Sequence, residues 1–379
     1  MSLLSRSAAY FKKFDWLIFG AGAALVVFGL IVLYSTSLGA AAIGPDGSGV
    51  RPLAAGDFGN FWKQLIFAAA GVVIALILPA FNYRLLGGLA KAGYILAVAL
   101  LVLVLIFGRT IRGTTGWFGI GGFGIQPVEL VKLLLVIFLA RYFDTHSRDR
   151  RTPRPILGSG LACGAVFLLV LLQPDFGSAL LLFTIWLTLL LLAGVRRSHL
   201  LAILFVCAAA AAVAWLFVMK PYQRDRVMAF VDPAGDPRGR GYNVTQSVIA
   251  IGSGGLTGKG LGYGSQSQLR FLPERQTDFI FAAAAEELGF LGVIFVFILF
   301  GVLFFRGFLL ARSARDDFSL FLILGILTAL AAEFVINIGG NLRLLPVTGV
   351  TLPFLSYGGS SLLVKFLMIG ILESIAVRR

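Results

Sequence analysis

The residues of this chain able to do chemistry gather at one seam. Gln268–Leu288 carries Arg270, Glu274 and Arg275 in a polar segment that runs unbroken into an apolar helix signal, and Asp278 stands at the junction. Thr277 reads as an N-cap, which puts Asp278 in the first helical turn, where the helix dipole favours an anion. A fixed carboxylate beside two guanidiniums suits chemistry on a substrate that is itself half in a membrane. The carboxylate is a base or acceptor for a hydroxyl, and the cations answer an anionic leaving group. Taken alone, the stretch also fits the plainer reading that Thr and Asp merely begin a helix.

The elements that must position this seam are membrane helices. The sequence is 58% hydrophobic and 13% charged, with a mean hydropathy of +0.92. Apolar runs of about 17–25 residues recur between short polar breaks, the pattern of a helical membrane protein. The 46 glycines fit close helix–helix approach in a bilayer. Cys163 and Cys207 lie inside apolar runs and His146 and His199 sit beside arginines, so no disulfide framework or metal site is expected.

In chain order the expected spans are Trp16–Ser35, Phe61–Phe81, Leu89–Phe107, a fourth opened by Gln126-Pro127-Val128-Glu129, Ile156–Leu172, Ser178–Gly194, Leu200–Met219, Phe279–Phe305, Phe318–Ile338 and Leu352–Val377. That makes an all-α polytopic membrane protein of about ten helices, forming one unit over 1–379. The basic start before the first span resembles a signal peptide, but the apolar run is too long for one and reads as an uncleaved span. Gly108–Ile125 is too Gly-rich for a helix and too apolar for a solvated loop. Its Trp117, Phe118 and Phe123 suggest a segment at the interface or folded back into the protein. Lys220–Thr277 is the long polar loop.

Arginine and lysine orient the bundle. With a cytoplasmic N-terminus, the inner turns hold Arg6, Lys12, Lys13, Arg84, Lys91, the Arg141–Arg154 cluster, Arg196, Arg197, Arg306, Arg312, Arg315, Arg378 and Arg379, and the short outer loops far fewer. Both termini then lie inside, and the net charge of +14 is largely topological, which gives no support to nucleic-acid binding. The long loop falls outside. Its Lys220, Arg224, Arg226, Arg238, Arg240, Lys259, Arg270 and Arg275 are free to meet anionic phosphate at the outer face.

Other polar positions carry weaker signals. Glu129 and Lys132 share a helix face at i, i+3, as a functional pair or as a structural ion pair. Glu286 and Glu287 are about 100° apart on a helix, so they do not face one pocket together. Glu333 and Asn337, at i and i+4, suit a cavity wall or hydrogen bonding within the bundle. Asp175, after Pro174, reads as a turn former. Ser356-Tyr357-Gly358-Gly359-Ser360 reads as a helix break, with no His to make Ser356 a nucleophile. No P-loop or dinucleotide fingerprint is present, so a lipid-linked sugar is favoured over a nucleotide sugar as donor. A Mg²⁺ or Mn²⁺ ion on a pyrophosphate is compatible with the sequence, but no dense carboxylate cluster demands one.

Three blocks carry a family resemblance. They are Gln126-Pro127-Val128-Glu129-Leu130-Val131-Lys132; the run from Gly241-Tyr242-Asn243-Val244-Thr245-Gln246 through Gly258-Lys259-Gly260 to Phe271–Phe281 and Glu286–Gly289; and Leu352-Pro353-Phe354-Leu355-Ser356-Tyr357-Gly358-Gly359-Ser360. Together they resemble the SEDS family (shape, elongation, division and sporulation), in particular its rod-shape RodA-type members. The resemblance implies a peptidoglycan glycosyltransferase that polymerises lipid II at the outer face of the cytoplasmic membrane and releases undecaprenyl pyrophosphate. It implies an essential acid at Asp278, required residues at Glu129 and Lys132, and a class B penicillin-binding protein as partner in an elongation complex. Gln126, Gln246, Lys259 and Arg275 are the further substrate-binding candidates. The chain departs from the family pattern in having Gly116, not Arg, before Trp117, and Val128 in place of Ser. Arg109 and Arg112 are the candidates to replace the missing cation. A lipid II flippase or a non-enzymatic scaffold is the competing class; a transporter wants its site near the midplane, whereas these charges gather at the outer boundary.

Overall fold

The computed structural model describes residues 13–38, 41–43, 50–52, 57–111, 113–120, 123–146, 154–213 and 241–379, with positions 216, 224, 228 and 230 between them. Arg112, Arg148, Arg150, Arg151, Lys220, Arg226, Arg238 and Arg240, like Arg6 and Lys12, lie outside the described residues.

Ten long helices are described: α1 Trp16–Ser37, α2 Gly59–Ile77, α3 Arg84–Phe107, α4 Pro127–Thr145, α5 Arg154–Leu172, α6 Phe176–Leu192, α7 Arg197–Val213, α10 Ile280–Arg312, α11 Asp317–Asn341 and α12 Gly359–Ala376. Two short helices in the loop, α8 Tyr242–Ser253 and α9 Ser265–Gln268, complete the set. Seven of the long helices are apolar and long enough to cross a membrane unaided, and α6 is a shorter apolar one. The others are α4, which carries Glu129, Lys132, Arg141 and Asp144, and α7, whose expected continuation to Met219 lies largely outside the described residues.

Burial sorts the bundle into centre and rim. The apolar windows of α12 and α11 are 78% and 61% buried, against 22% for α2 and α3, whose Trp62, Ile66, Ile95 and Ile106 are exposed. The buried polar groups Glu333, Asn337, Lys365 and Glu373 accordingly lie on the two central helices, where partners from neighbouring helices reach them. In sequence order, α12 packs on α2, α10 on α1, and α11 on both α4 and α6.

Three stretches take a more specific form than expected. First, the described residues of Gly108–Ile125 form an antiparallel sheet, in which β3 Arg109–Ile111 pairs with β4 Thr114–Ile120, and β4 with β5 Phe123–Ile125. Its Thr, Ile, Trp and Phe favour strands and its glycines admit the turns. A two-stranded ribbon, β1 Ala41–Ile43 with β2 Val50–Pro52, lies between α1 and α2. Second, the last span starts at Gly359, because Leu352–Gly358 is non-helical, in keeping with the expected break at Ser356–Ser360. Third, Thr277 is not a helix cap. Its hydroxyl bonds to Glu274, and α10 starts at Ile280.

The long α10 is interrupted at Gly289, with φ 65° and ψ −164°. The freed carbonyls are met by the glycine-rich loop that follows α8: Lys259 N–H donates to Glu286 O at 3.0 Å and Gly260 N–H to Glu287 O at 3.0 Å. In return Phe290 N–H donates to Gly255 O at 2.9 Å. A Cβ on Gly289 would lie 2.2 Å from Gly258 N, so the break and the glycine loop require each other.

Candidate active site

The chain reverses direction at each helix, so the C-terminal ends of α1, α3, α5 and α11 and the N-terminal ends of α2, α4, α6, α10 and α12 meet at one end of the bundle. A cavity of about 1160 Å³ opens there. Its wall takes Thr36 and Ser37 from α1, Asn60 from α2, Gln126 and Glu129 from the start of α4, Asp175 from the start of α6, Arg270–Phe279 from the segment before α10 (Phe271 excepted), and Ser360 and Ser361 from α12.

Asp278 lies on this wall in the turn two residues before α10, half-buried. Its main chain is held by a run of hydrogen bonds. The carbonyl of Gln276 accepts from Tyr357 N–H at 2.8 Å. That of Thr277 accepts from the Ser356 hydroxyl at 2.7 Å, and that of Asp278 from the Asn337 and Asn341 side-chain amides, each at 2.9 Å. Ser356 Oγ also accepts from Leu352 N–H at 2.8 Å, so this hydroxyl ties two segments together. The Gln276 side chain anchors the same turn to Asn60 at 2.8 Å and to Ser37 at 3.2 Å. Carbonyls that a helix start would use internally are thus bonded outward, which explains why α10 begins after Asp278.

Arg270 and Arg275 line the cavity alongside Asp278. Arg275 donates to Thr36 O at 3.0 Å, while its Nε–H is buried without a hydrogen-bond partner in the structure. Burial, with Arg270 nearby, lowers its pKa from the ordinary value. Both effects favour an incoming anion. Arg270 and Glu274 hold φ of 61° and 53°, left-handed backbone that non-glycine residues adopt at a cost of order 1–3 kcal/mol, a feature common at functional sites.

Glu129 forms the floor. Lys132 Nζ donates to Glu129 Oε1 at 2.9 Å and also bonds Glu333 Oε1. Lys365 Nζ donates to Glu129 Oε2 and to Glu333 Oε1, both at 2.9 Å. Two carboxylates and two ammoniums thus close a buried ring joining α4, α11 and α12. Lys132 stands behind Glu129 in this ring and is not part of the wall. Lys365 escaped notice in the sequence, although a lone lysine within the apolar run of the last span is itself the signal of an intramembrane partner.

Asp175, expected only as a turn former, is both a cap and a wall residue. It accepts from Ser178 N–H at 3.0 Å and from Gln126 Nε2 at 3.3 Å. Burial, offset by the Ser178 hydrogen bonds, raises its pKa above the ordinary carboxylate value.

Several candidates lie elsewhere. Lys259 donates to Glu286 Oε1 and to Ser265 Oγ, both at 2.8 Å, and does not reach the cavity wall. Glu287 is buried against Ser35, Ser267 and Gln268. The two glutamates share Ser267, whose N–H bonds to Glu286 and whose hydroxyl bonds to Glu287, and both fasten the loop onto α10. Gln246 is half-buried on α8, whose Asn243 and Val244 line the cavity instead. Gly116 is buried beside Gln173 and Gln126, and Arg109 is exposed beside Gly119, away from the wall. Among the described residues no group of three His, Cys, Asp or Glu is gathered as metal ligands.

Known proteins share this fold and sequence. Residues 15–379 match the family FtsW/RodA/SpoVE, cell cycle protein. The chain is 39% identical over 326 residues to the peptidoglycan glycosyltransferase MrdB of Escherichia coli K12, covering 85% of this chain and 87% of that one. It is 36% identical over 358 residues to the stage V sporulation protein E of Bacillus subtilis, covering 93% and 94%. The solved structure of a peptidoglycan synthase complex described as coordinating polymerization and crosslinking contains a chain that superposes with a TM-score of 0.77 at 35% identity, covering 96% of this chain and 97% of that one. The rod shape determining protein RodA of Thermus thermophilus superposes at 0.68 with 30% identity, covering 96% of each. This chain is a multi-pass membrane protein and belongs to the FtsW/RodA/SpoVE family, the SEDS family.

Proposed function

We propose that the chain is a peptidoglycan glycosyltransferase that joins lipid II disaccharide units into glycan strands during cell elongation, with Asp278 as its catalytic residue. The observation that carries this reading is that Asp278, Arg270 and Arg275 line one cavity at one end of the bundle. A hydroxyl of the acceptor sugar attacks the anomeric carbon of the donor. The bond from that carbon to the phosphate oxygen breaks, and undecaprenyl pyrophosphate leaves with the electron pair. Asp278 takes the hydroxyl proton, and the two guanidiniums stabilise the charge growing on the pyrophosphate. A carboxylate held through its own main chain needs little reorganisation as the reaction proceeds.

Glu129 and Gln126, which line the same cavity, contact the sugars or the pyrophosphate, with Lys132 holding Glu129 in place. Glu129, bound to two lysines, and Asp175, bound to Gln126 and Ser178, do not fit a resident metal, and no group of three carboxylates is gathered among the described residues. A Mg²⁺ or Mn²⁺ ion would enter with the substrate pyrophosphate. The placement at one end also favours an enzyme over a transporter, which needs a midplane site.

The lysines and arginines of the turns at the opposite end of the bundle favour a cavity on the outer face of the cytoplasmic membrane, with both termini inside. Cysteines introduced into 220–277 should then react with a membrane-impermeant thiol reagent in intact cells, and cysteines in 141–155 should not. A class B penicillin-binding protein is the partner that crosslinks the product, consistent with the complex that the structural neighbour forms. Polymerisation of purified lipid II by the purified chain, alone and with that partner, tests the activity. Glycan strands are expected, and their absence under both conditions would overturn the reading.

A further inference from the structure

We propose that Asn337 and Asn341 are positioning residues for the transfer reaction, aiming the Asp278 carboxylate through that residue's main-chain carbonyl; the proposal rests on Asp278 being the catalytic residue. The two asparagines are one helical turn apart at the C-terminal end of α11, and both are buried. Each gives a side-chain N–H to the same acceptor, Asp278 O, at 2.9 Å. A carbonyl oxygen has two lone pairs, and here both are taken by donors from one rigid helix.

Both asparagines are themselves fixed. The second hydrogen of Asn337 Nδ2 goes to Val350 O at 2.8 Å, and that of Asn341 Nδ2 to Asn337 O at 2.8 Å. Asn341 Oδ1 accepts from Ala282 N–H at 3.2 Å, inside the first turn of α10, and Ser247 Oγ donates to Asn341 O at 2.9 Å. The Asp278 carbonyl is therefore bolted on one side to α11, which in turn grips α10 and α8. Val350 is one residue from Gly349, where a Cβ would stand 3.8 Å from Asp278 Oδ2. So Asn337 also fixes the segment that faces the carboxylate.

Neither asparagine carries charge, and removing one amide leaves the cavity's charged wall intact. Yet Asp278 stands in a turn outside any helix, where the N–H groups of Thr277 and Phe279 on either side both bond to Glu274 O, at 3.0 and 3.2 Å, and the two asparagines supply the tie to α11. Placement errors near 1 Å cost about 10²-fold in rate at sites of this kind.

The test is lipid II polymerisation by the full-length chain carrying Asn337→Ala, Asn341→Asp or Asp278→Asn, and by the Asp278→Asn double variants. Asn341→Asp keeps an oxygen to accept from Ala282 and replaces the two donor hydrogens with a carboxylate oxygen that the Asp278 carbonyl repels, so it still reports if Asn337→Ala fails to insert. Each single asparagine variant should lower kcat about 10- to 100-fold with KM for lipid II nearly unchanged. In the Asp278→Asn background the same changes should cost little more, because the carboxylate they aim is already gone. Wild-type kcat in inserted Asn337→Ala and Asn341→Asp, with Asp278→Asn inactive, overturns the positioning role and leaves the catalytic one standing. Multiplicative losses in the double variants, or a loss confined to KM, overturn it too. A wild-type rate in Asp278→Asn overturns the catalytic reading itself.

Discussion

The Lys365 ammonium, carried by α12, lies 2.9 Å from Glu129 Oε2 on α4, and it ties the last helix to the cavity floor. With Lys132 and Glu333 it completes a ring whose two positive and two negative charges cancel.

Lys365→Met should therefore destabilise strongly. It leaves two buried carboxylates sharing one lysine, and breaking a buried pair from one side costs about 3–5 kcal/mol. Lys365→Met with Glu129→Gln returns the ring to zero net charge and should recover part of the melting temperature. Thermal unfolding of the two purified variants in detergent checks this; equal melting for Lys365→Met and the unaltered chain would show that the ring does not hold the bundle.

Gly289→Ala should weaken the fold and loosen the loop. The φ of 65° with ψ of −164° alone disfavours a Cβ by about 1–3 kcal/mol, and the clash with Gly258 N adds to it. Limited proteolysis is expected to cut 254–264 faster in this variant. Unchanged cleavage and melting would remove the interlock between the α10 break and the glycine loop.

Asp175 gives a pH signature. Burial raises its folded pKa above the ordinary 3.8, so the folded state binds the proton more tightly than the unfolded state does. Its contribution to stability is then greatest below the unfolded pKa and declines as pH rises through the folded value. Asp175→Asn keeps an N-cap oxygen and removes the ionisation. Its melting temperature, relative to the unaltered chain, should rise from pH 4 towards pH 8; a difference that is flat with pH would contradict the shift.

Much of this molecule is legible in its sequence, for physical reasons. A bilayer demands apolar runs of fixed length, so the long helices could be counted from hydropathy, and among the described residues seven of the ten are long and apolar enough to cross a membrane. Glu129 and Lys132 announced themselves as charges at helical spacing in such a run. What escaped notice depends on contacts between distant segments. Thr277 and Asp278 look like a helix start, yet their carbonyls are held by Ser356, Asn337 and Asn341, which lie 59 to 79 residues away in sequence. Lys259 reads as a loop cation open to phosphate, but Glu286 claims it. The β3–β4–β5 sheet was hidden because its glycines mask the strand pattern of its Thr, Ile and Trp.

The most direct measurement is the lipid II polymerisation rate of purified Asp278→Asn, with insertion and melting verified first. Asn leaves the main-chain bonds to Asn337 and Asn341 in place and removes only the charge. A loss of at least about 10²-fold is expected, the usual scale of a general acid–base contribution. Polymerisation at the rate of the unaltered chain would contradict the assignment of Asp278 and move the search for the base to Glu129.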